Sequence, residues 1–112
     1  MTTYEINSRN EELANDIIDW LKKNRLNTDT RIYTNGKAYD TNKNKWLDNM
    51  DPSEYVEYYN KEGITMTFES SLYKVLNDYS SPKLYEEFKS LLAKYGAYFI
   101  PGFSWSLSIY FD

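Results

Sequence analysis

Apolar residues recur three and four apart at Leu13, Ala14, Ile17, Ile18 and Leu21. That spacing marks one stripe of an amphipathic helix over residues 9–24, with Ser8 and Glu11 forming a capping box at its start. A polar stretch over residues 24–29 should end it. Residues 30–34 then read as a strand, Asn35-Gly36 as a tight hairpin turn in which both residues tolerate positive φ, and residues 37–40 as the returning strand. A further turn at residues 41–44 would bring back Lys45-Trp46-Leu47 as an optional third strand.

Asp51-Pro52-Ser53-Glu54 carries a helix-start pattern, an N-cap acid followed by proline at the first helical position. It predicts a short helix to about residue 60, with Gly63 just beyond. Ile64, Met66 and Phe68 alternate with polar residues, as in a strand with one buried face. Residues 71–77 suggest a short helix with Leu72, Val75 and Leu76 inward, broken at residues 78–81. Ser81-Pro82 opens the most regular helix, with Leu84, Tyr85, Phe88, Leu91, Leu92 and Tyr95 at helical spacing and Gly96 as its left-handed stop. Residues 97–100 read as a strand and Pro101-Gly102 as a type II turn. In the last strand Phe103, Trp105, Leu107, Ile109 and Phe111 face one way, and Ser104, Ser106, Ser108 and Tyr110 the other.

The expected order is α-β-β-(β)-α-β-α-α-β-β, an α+β fold with a small antiparallel sheet and helices packed on one face. The serine side of the last strand would be the open face. The length, 112 residues, fits a single domain over 1–112.

Composition narrows the function classes. Aromatics make up 18% of the chain, with twelve tyrosines, which suits a packed fold rather than disorder. No apolar run approaches the ~20 residues of a membrane span, and the first residues lack the basic-then-apolar pattern of a secretory signal. Cysteine and histidine are both absent. Disulfides, thiolate metal sites and the commonest general base are thereby excluded, and a cytoplasmic setting is expected. The net charge of -4 opposes direct nucleic-acid or anionic-membrane binding and favours a basic partner.

The candidate binding surface is the acidic, tyrosine-rich stretch of Asp48, Asp51, Glu54, Tyr55, Glu57, Tyr58 and Tyr59, which contains no basic residue. On a helix, Asp51, Glu54 and Tyr58 would share a face with Glu57 close by. Carboxylates spaced in that way resemble a phosphate backbone, and tyrosines supply stiff, amphipathic contact area. The same acids would equally suit a capped, solvated helix start. Tyr85, Tyr95 and Trp105 are expected in the core, whereas Tyr110 falls on a polar face. Lys37, Lys43 and Lys45 could touch phosphates but more simply make a soluble turn.

The remaining signals for catalysis are thin. Glu11-Glu12 and Glu86-Glu87 sit on helix surfaces, where carboxylates keep ordinary pKa values. Glu87-Phe88-Lys89 has the spacing of a nuclease acid–lysine pair but lies on a helix. The glycines stand alone at turns, with no phosphate-cradling loop. The expectation is therefore a non-catalytic protein with no catalytic residue, metal or cofactor.

The segments Asp51-Pro52-Ser53-Glu54-Tyr55-Val56-Glu57-Tyr58-Tyr59-Asn60, Ile64-Thr65-Met66-Thr67-Phe68-Glu69 and Ser71-Leu72-Tyr73-Lys74-Val75-Leu76-Asn77 resemble a family of small proteins of Gram-positive phages and plasmids. The resemblance covers about a quarter of the chain and implies context, a mobile element, without a mechanism. Such elements carry inhibitors of host defence enzymes, among them anti-restriction DNA mimics, which are more acidic than this chain. Three readings follow: an inhibitor or adaptor that binds a host protein with a basic surface, a homodimer paired through its last strand, and a small metal-dependent hydrolase.

Overall fold

The capping box that starts the first helix is Thr2-x-x-Glu5 rather than Ser8-x-x-Glu11. The Thr2 hydroxyl accepts from the Glu5 N–H and the Glu5 carboxylate accepts from the Thr2 N–H, both at 3.1 Å. In the computed structural model, which describes residues 1–77 and 81–112, helix α1 accordingly spans Thr3–Lys23. The remaining elements are β1 (Thr30–Thr34), β2 (Lys37–Asp40), β3 (Lys45–Asp48), β4 (Ile64–Phe68), α2 (Ser70–Asn77), α3 (Pro82–Ala93), β5 (Ala97–Pro101) and β6 (Ser106–Phe111). The break expected between α2 and α3 falls largely on residues 78–80, which lie outside the described residues.

Six strands form one antiparallel sheet in the order β3-β2-β1-β4-β6-β5. The optional third strand is present. Asn35 and Gly36 have φ of 54° and 77°, the geometry of the tight turn that sets Ile32 opposite Tyr39 and Arg31 opposite Asp40. The helix-side face of the sheet carries Ile32, Tyr39, Ile64, Met66, Phe68, Leu107 and Ile109. These close over Leu13, Ile17 and Leu21 of α1, Leu72 of α2, and Phe88 and Leu92 of α3 in one apolar core. This is the expected α+β arrangement, and every strand pattern of period two buries its apolar side here.

Three local expectations are corrected. The helix expected over residues 51–60 is a single 3-10 turn, Pro52–Glu54. Asp51 caps it as foreseen, but Val56 is the one aliphatic side chain between Pro52 and Asn60, too little for a helical stripe. The last strand begins at Ser106, and residues 102–105 form a loop closed by Gly102 N–H to the Ser106 carbonyl and Ser106 N–H to the Phe103 carbonyl, both 3.1 Å. Gly102 is not at positive φ, so no type II turn forms there. Finally, β6 lies between β4 and β5, with both of its edges hydrogen-bonded. The edge that self-pairing through the last strand requires does not exist.

Among the described residues no helix is long and apolar enough to cross a membrane.

Candidate docking surface on the strapped face of the sheet

The face of the sheet away from the helices is not open. Thr65 and Ser106 are 0% exposed and Ser108 is 4% exposed, although all three point away from the apolar core. The segment that failed to become a helix lies over this face, and the loop at residues 102–105 closes on Ser106, whose hydroxyl accepts from the Phe103 N–H at 2.9 Å. Residues 49–62 leave β3, cross β2 and β1, and return to β4 as a strap. Met50 N–H fastens its start to the Gly36 carbonyl at 3.0 Å. Tyr55 stacks on the buried Tyr33 of β1 with ring centroids 5.8 Å apart, and Val56 is buried beneath the crossing. Tyr58 packs on Phe103 at 5.4 Å.

Asn60 fastens the far end. Its N–H donates to the Thr65 hydroxyl at 2.9 Å, its side-chain amide donates to the Ile109 carbonyl at 2.7 Å, and its Oδ1 accepts from the Glu62 N–H at 3.2 Å. One residue thus ties the strap to β4 and β6.

The strap holds most of the expected binding residues together, though in a different geometry from the helix face. Tyr55, Tyr58 and Tyr59 are exposed on its outer surface, and Glu54 and Glu57 project beside them. Asp51 is committed to the 3-10 turn. The Ser53 N–H and hydroxyl, at 2.9 and 2.8 Å, hold its carboxyl below the usual range. Asp48 does not join the group. It lies opposite Lys37 and shares the helix-side face with Trp46, by strand alternation. Of the loop lysines, Lys37 is already engaged, with Nζ 2.9 Å from Glu11 and 4.5 Å over the Trp46 ring.

Between the strap and the loop over residues 102–105 lies a concavity of about 370 Å³. Arg31, Asp40 and Thr67 supply its floor, Tyr55 and Trp105 its walls, and Asp29 and Glu69 its rim. Arg31 Nε is 3.1 Å from Asp40 Oδ2, and its guanidinium carbon is 5.8 Å from the Tyr55 ring centre. Burial pushes the Asp40 carboxyl up, but the Lys43 N–H, Arg31 and the Asn42 N–H together outweigh it and hold the group below its ordinary value. At the rim, the Ser70 hydroxyl and the Asn42 amide lower Asp29. The floor is thus neutralised by its own ion pair, while the rim and strap remain acidic.

Sequence reasoning put Trp105 in the core. It is exposed instead, stacked on Phe103 at 5.1 Å and 11° between planes, so it extends the aromatic surface of the strap. The signal for this was the Pro101-Gly102 pair, which delays the strand by several residues. Arg31 and Asp40 were also missed, yet a two-residue turn at Asn35-Gly36 places them opposite one another by counting alone. Tyr85 and Tyr95 do pack against the core. Tyr110 stacks on Tyr98 of β5 at 6.0 Å.

Among the described residues, no three or more His, Cys, Asp or Glu side chains converge on a metal-sized site. No protein-family model, curated protein or solved structure matches this chain.

Proposed function

We propose that this chain is a small non-catalytic binding protein of a mobile element. It docks on a host protein with a basic surface and acts there as an inhibitor or adaptor of a nucleic-acid-processing or defence enzyme. The observation that carries this reading is the strap. A segment without a basic residue from Leu47 to Asn60 is laid across the sheet and fastened at both ends. Ring stacking on Tyr33 and Phe103 holds Tyr55 and Tyr58 in place, half-exposed beside Glu54 and Glu57, with Tyr59 exposed next to them. Rigid aromatic area with flanking charge is the usual make-up of the centre and rim of a protein interface. Pre-fastening lowers the ordering cost of binding.

The test is capture of host proteins by the tagged chain at low and high salt, repeated with the double charge reversal E54K/E57K. Both side chains are exposed and, among the described residues, neither carboxylate accepts a hydrogen bond, so the variant is expected to melt as the parent does. A salt-released host protein that the variant binds at least about tenfold more weakly supports the strap as the contact. Equal capture by parent and variant removes this surface from consideration.

A further inference from the structure

The sheet has two outer strands, and they are built differently. β3 carries Lys45 and Asp48, charges of the kind that discourage edge-to-edge pairing. β5 is Ala97-Tyr98-Phe99-Ile100-Pro101, without a charge, and Tyr98 and Ile100 are 45% and 50% exposed. A groove of about 370 Å³ runs along it, lined by Tyr85, Lys89, Leu92 and Ala93 of α3 and by β5 itself.

The hydrogen-bond parity of β5 follows from its ends. Asp112 N–H donates to the Gly96 carbonyl at 2.8 Å and Gly102 N–H to the Ser106 carbonyl at 3.1 Å, and both fit the register that sets Ala97 opposite Phe111. In an antiparallel ladder bonded and non-bonded residues alternate. Tyr98 and Ile100 therefore bond inward to β6, and the main-chain groups of Ala97, Phe99 and Pro101 point outward. Among the described residues no strand takes them up.

We propose that β5 is the interface for a second copy of this chain, the two β5 strands pairing antiparallel about a two-fold axis through Phe99. The strand is complementary to itself in this register. Each Phe99 exchanges both main-chain bonds with its counterpart. Each Ala97 N–H meets the Pro101 carbonyl of the other copy, so the donor that proline lacks is missing only at the ends of the paired segment. On the strapped face Tyr98 of each copy falls directly opposite Ile100 of the other, an aromatic and β-branched pair of the kind that stabilises sheets. Charge favours the same place. Two chains of net charge -4 meet along a strand that carries no charge, with the cation of Lys89 beside its groove. The result is one continuous sheet through both copies, with the two straps on the same side of it.

The chain contains no cysteine, so single cysteines report the register cleanly. Tyr98→Cys and Ile100→Cys chains, checked for folding by circular dichroism, are oxidised separately and as an equal mixture. Residues directly opposite lie within disulfide reach, whereas the diagonal approach of a residue to its own copy is about 7–8 Å. The expected result is rapid 98–100 cross-linking in the mixture and at least about tenfold slower cross-linking of either chain alone. In sedimentation of the unmodified chain, the mass should rise from 13.4 kDa towards twice that with concentration, and Ile100→Lys should abolish the rise. Cross-linking without preference for the mixture, or a monomer at the highest attainable concentration, overturns the proposal. So does a β5 that captures a different protein while its own chain stays monomeric.

Discussion

Gly63 shows how a single position can be decided by space rather than by backbone conformation. It is not at positive φ, yet a β-carbon there would lie 2.4 Å from the Asn60 side-chain nitrogen and 2.6 Å from the Ile109 carbonyl oxygen. The second obstacle is backbone in the middle of the sheet and cannot step aside. Gly63→Ala is therefore expected to destabilise the fold by about 1–3 kcal/mol, measured by urea denaturation, although alanine would suit a strand approach better elsewhere. Asp40 makes a pH-dependent contribution at the same scale. Its folded pKa lies below that of the unfolded chain, so its stabilisation is fully present above about pH 4 and is lost as the pH falls through the folded value. Asp40→Asn should lower stability at neutral pH by ~1–2 kcal/mol and flatten the acid side of the stability profile. Tyr95 works in the opposite direction. Burial and its hydrogen bond to the Asp16 carboxylate raise it to about 12. Its contribution is complete below about pH 10, the unfolded value, and disappears as the pH rises through 12. Tyr95→Phe should remove that alkaline loss, read as the change in melting temperature between pH 9 and 12.

At the scale of elements, legibility in the sequence followed the strength of the local signal. The β1–β2 hairpin, α3 with its Gly96 stop, and β4 were readable because turn chemistry and apolar period agreed. α1 was readable from Arg9 onward, without its first two turns. Its first two turns are mostly exposed, and just Ile6 extends the stripe backward from Asn10 and Leu13. Residues 51–60 were misread because a helix-start signal is local, whereas the decision to continue depends on an apolar stripe that this segment lacks. The segment instead buries Val56 and lays the half-exposed Tyr55 on the buried Tyr33, an outcome of tertiary packing that no window of ten residues contains. Its candidate residues were legible as a composition and not as an arrangement. Val56→Ala should loosen the strap at a cost of about 1–2 kcal/mol, from the buried methyl groups lost. Near-ultraviolet circular dichroism should register the freed tyrosines. The helical far-ultraviolet signal should stay, because α1, α2 and α3 lie on the other face.

Over the whole molecule, helices, sheet and strap make three layers of unequal thickness. The acidic strap forms one outer surface, and the uncharged edge of β5 borders the same side. Charge and hydrophobic contact are thus separated on one molecule, and salt should distinguish them. Host capture through Glu54 and Glu57 is expected to weaken as ionic strength rises from 50 to 500 mM, while β5 association is expected to hold or strengthen. Equilibrium sedimentation at both salt concentrations, with and without the captured protein, checks the pair of expectations together.

The buried hydroxyls of Thr65, Ser106 and Ser108 lie under the thinnest layer, a lid one chain thick. These hydroxyls meet water only when that lid lifts, a motion that leaves the ladder bonds of β4 and β6 intact. A ligand gripping the strap from outside would close this breathing motion and slow the exchange of these hydroxyl protons with water, at residues it never touches.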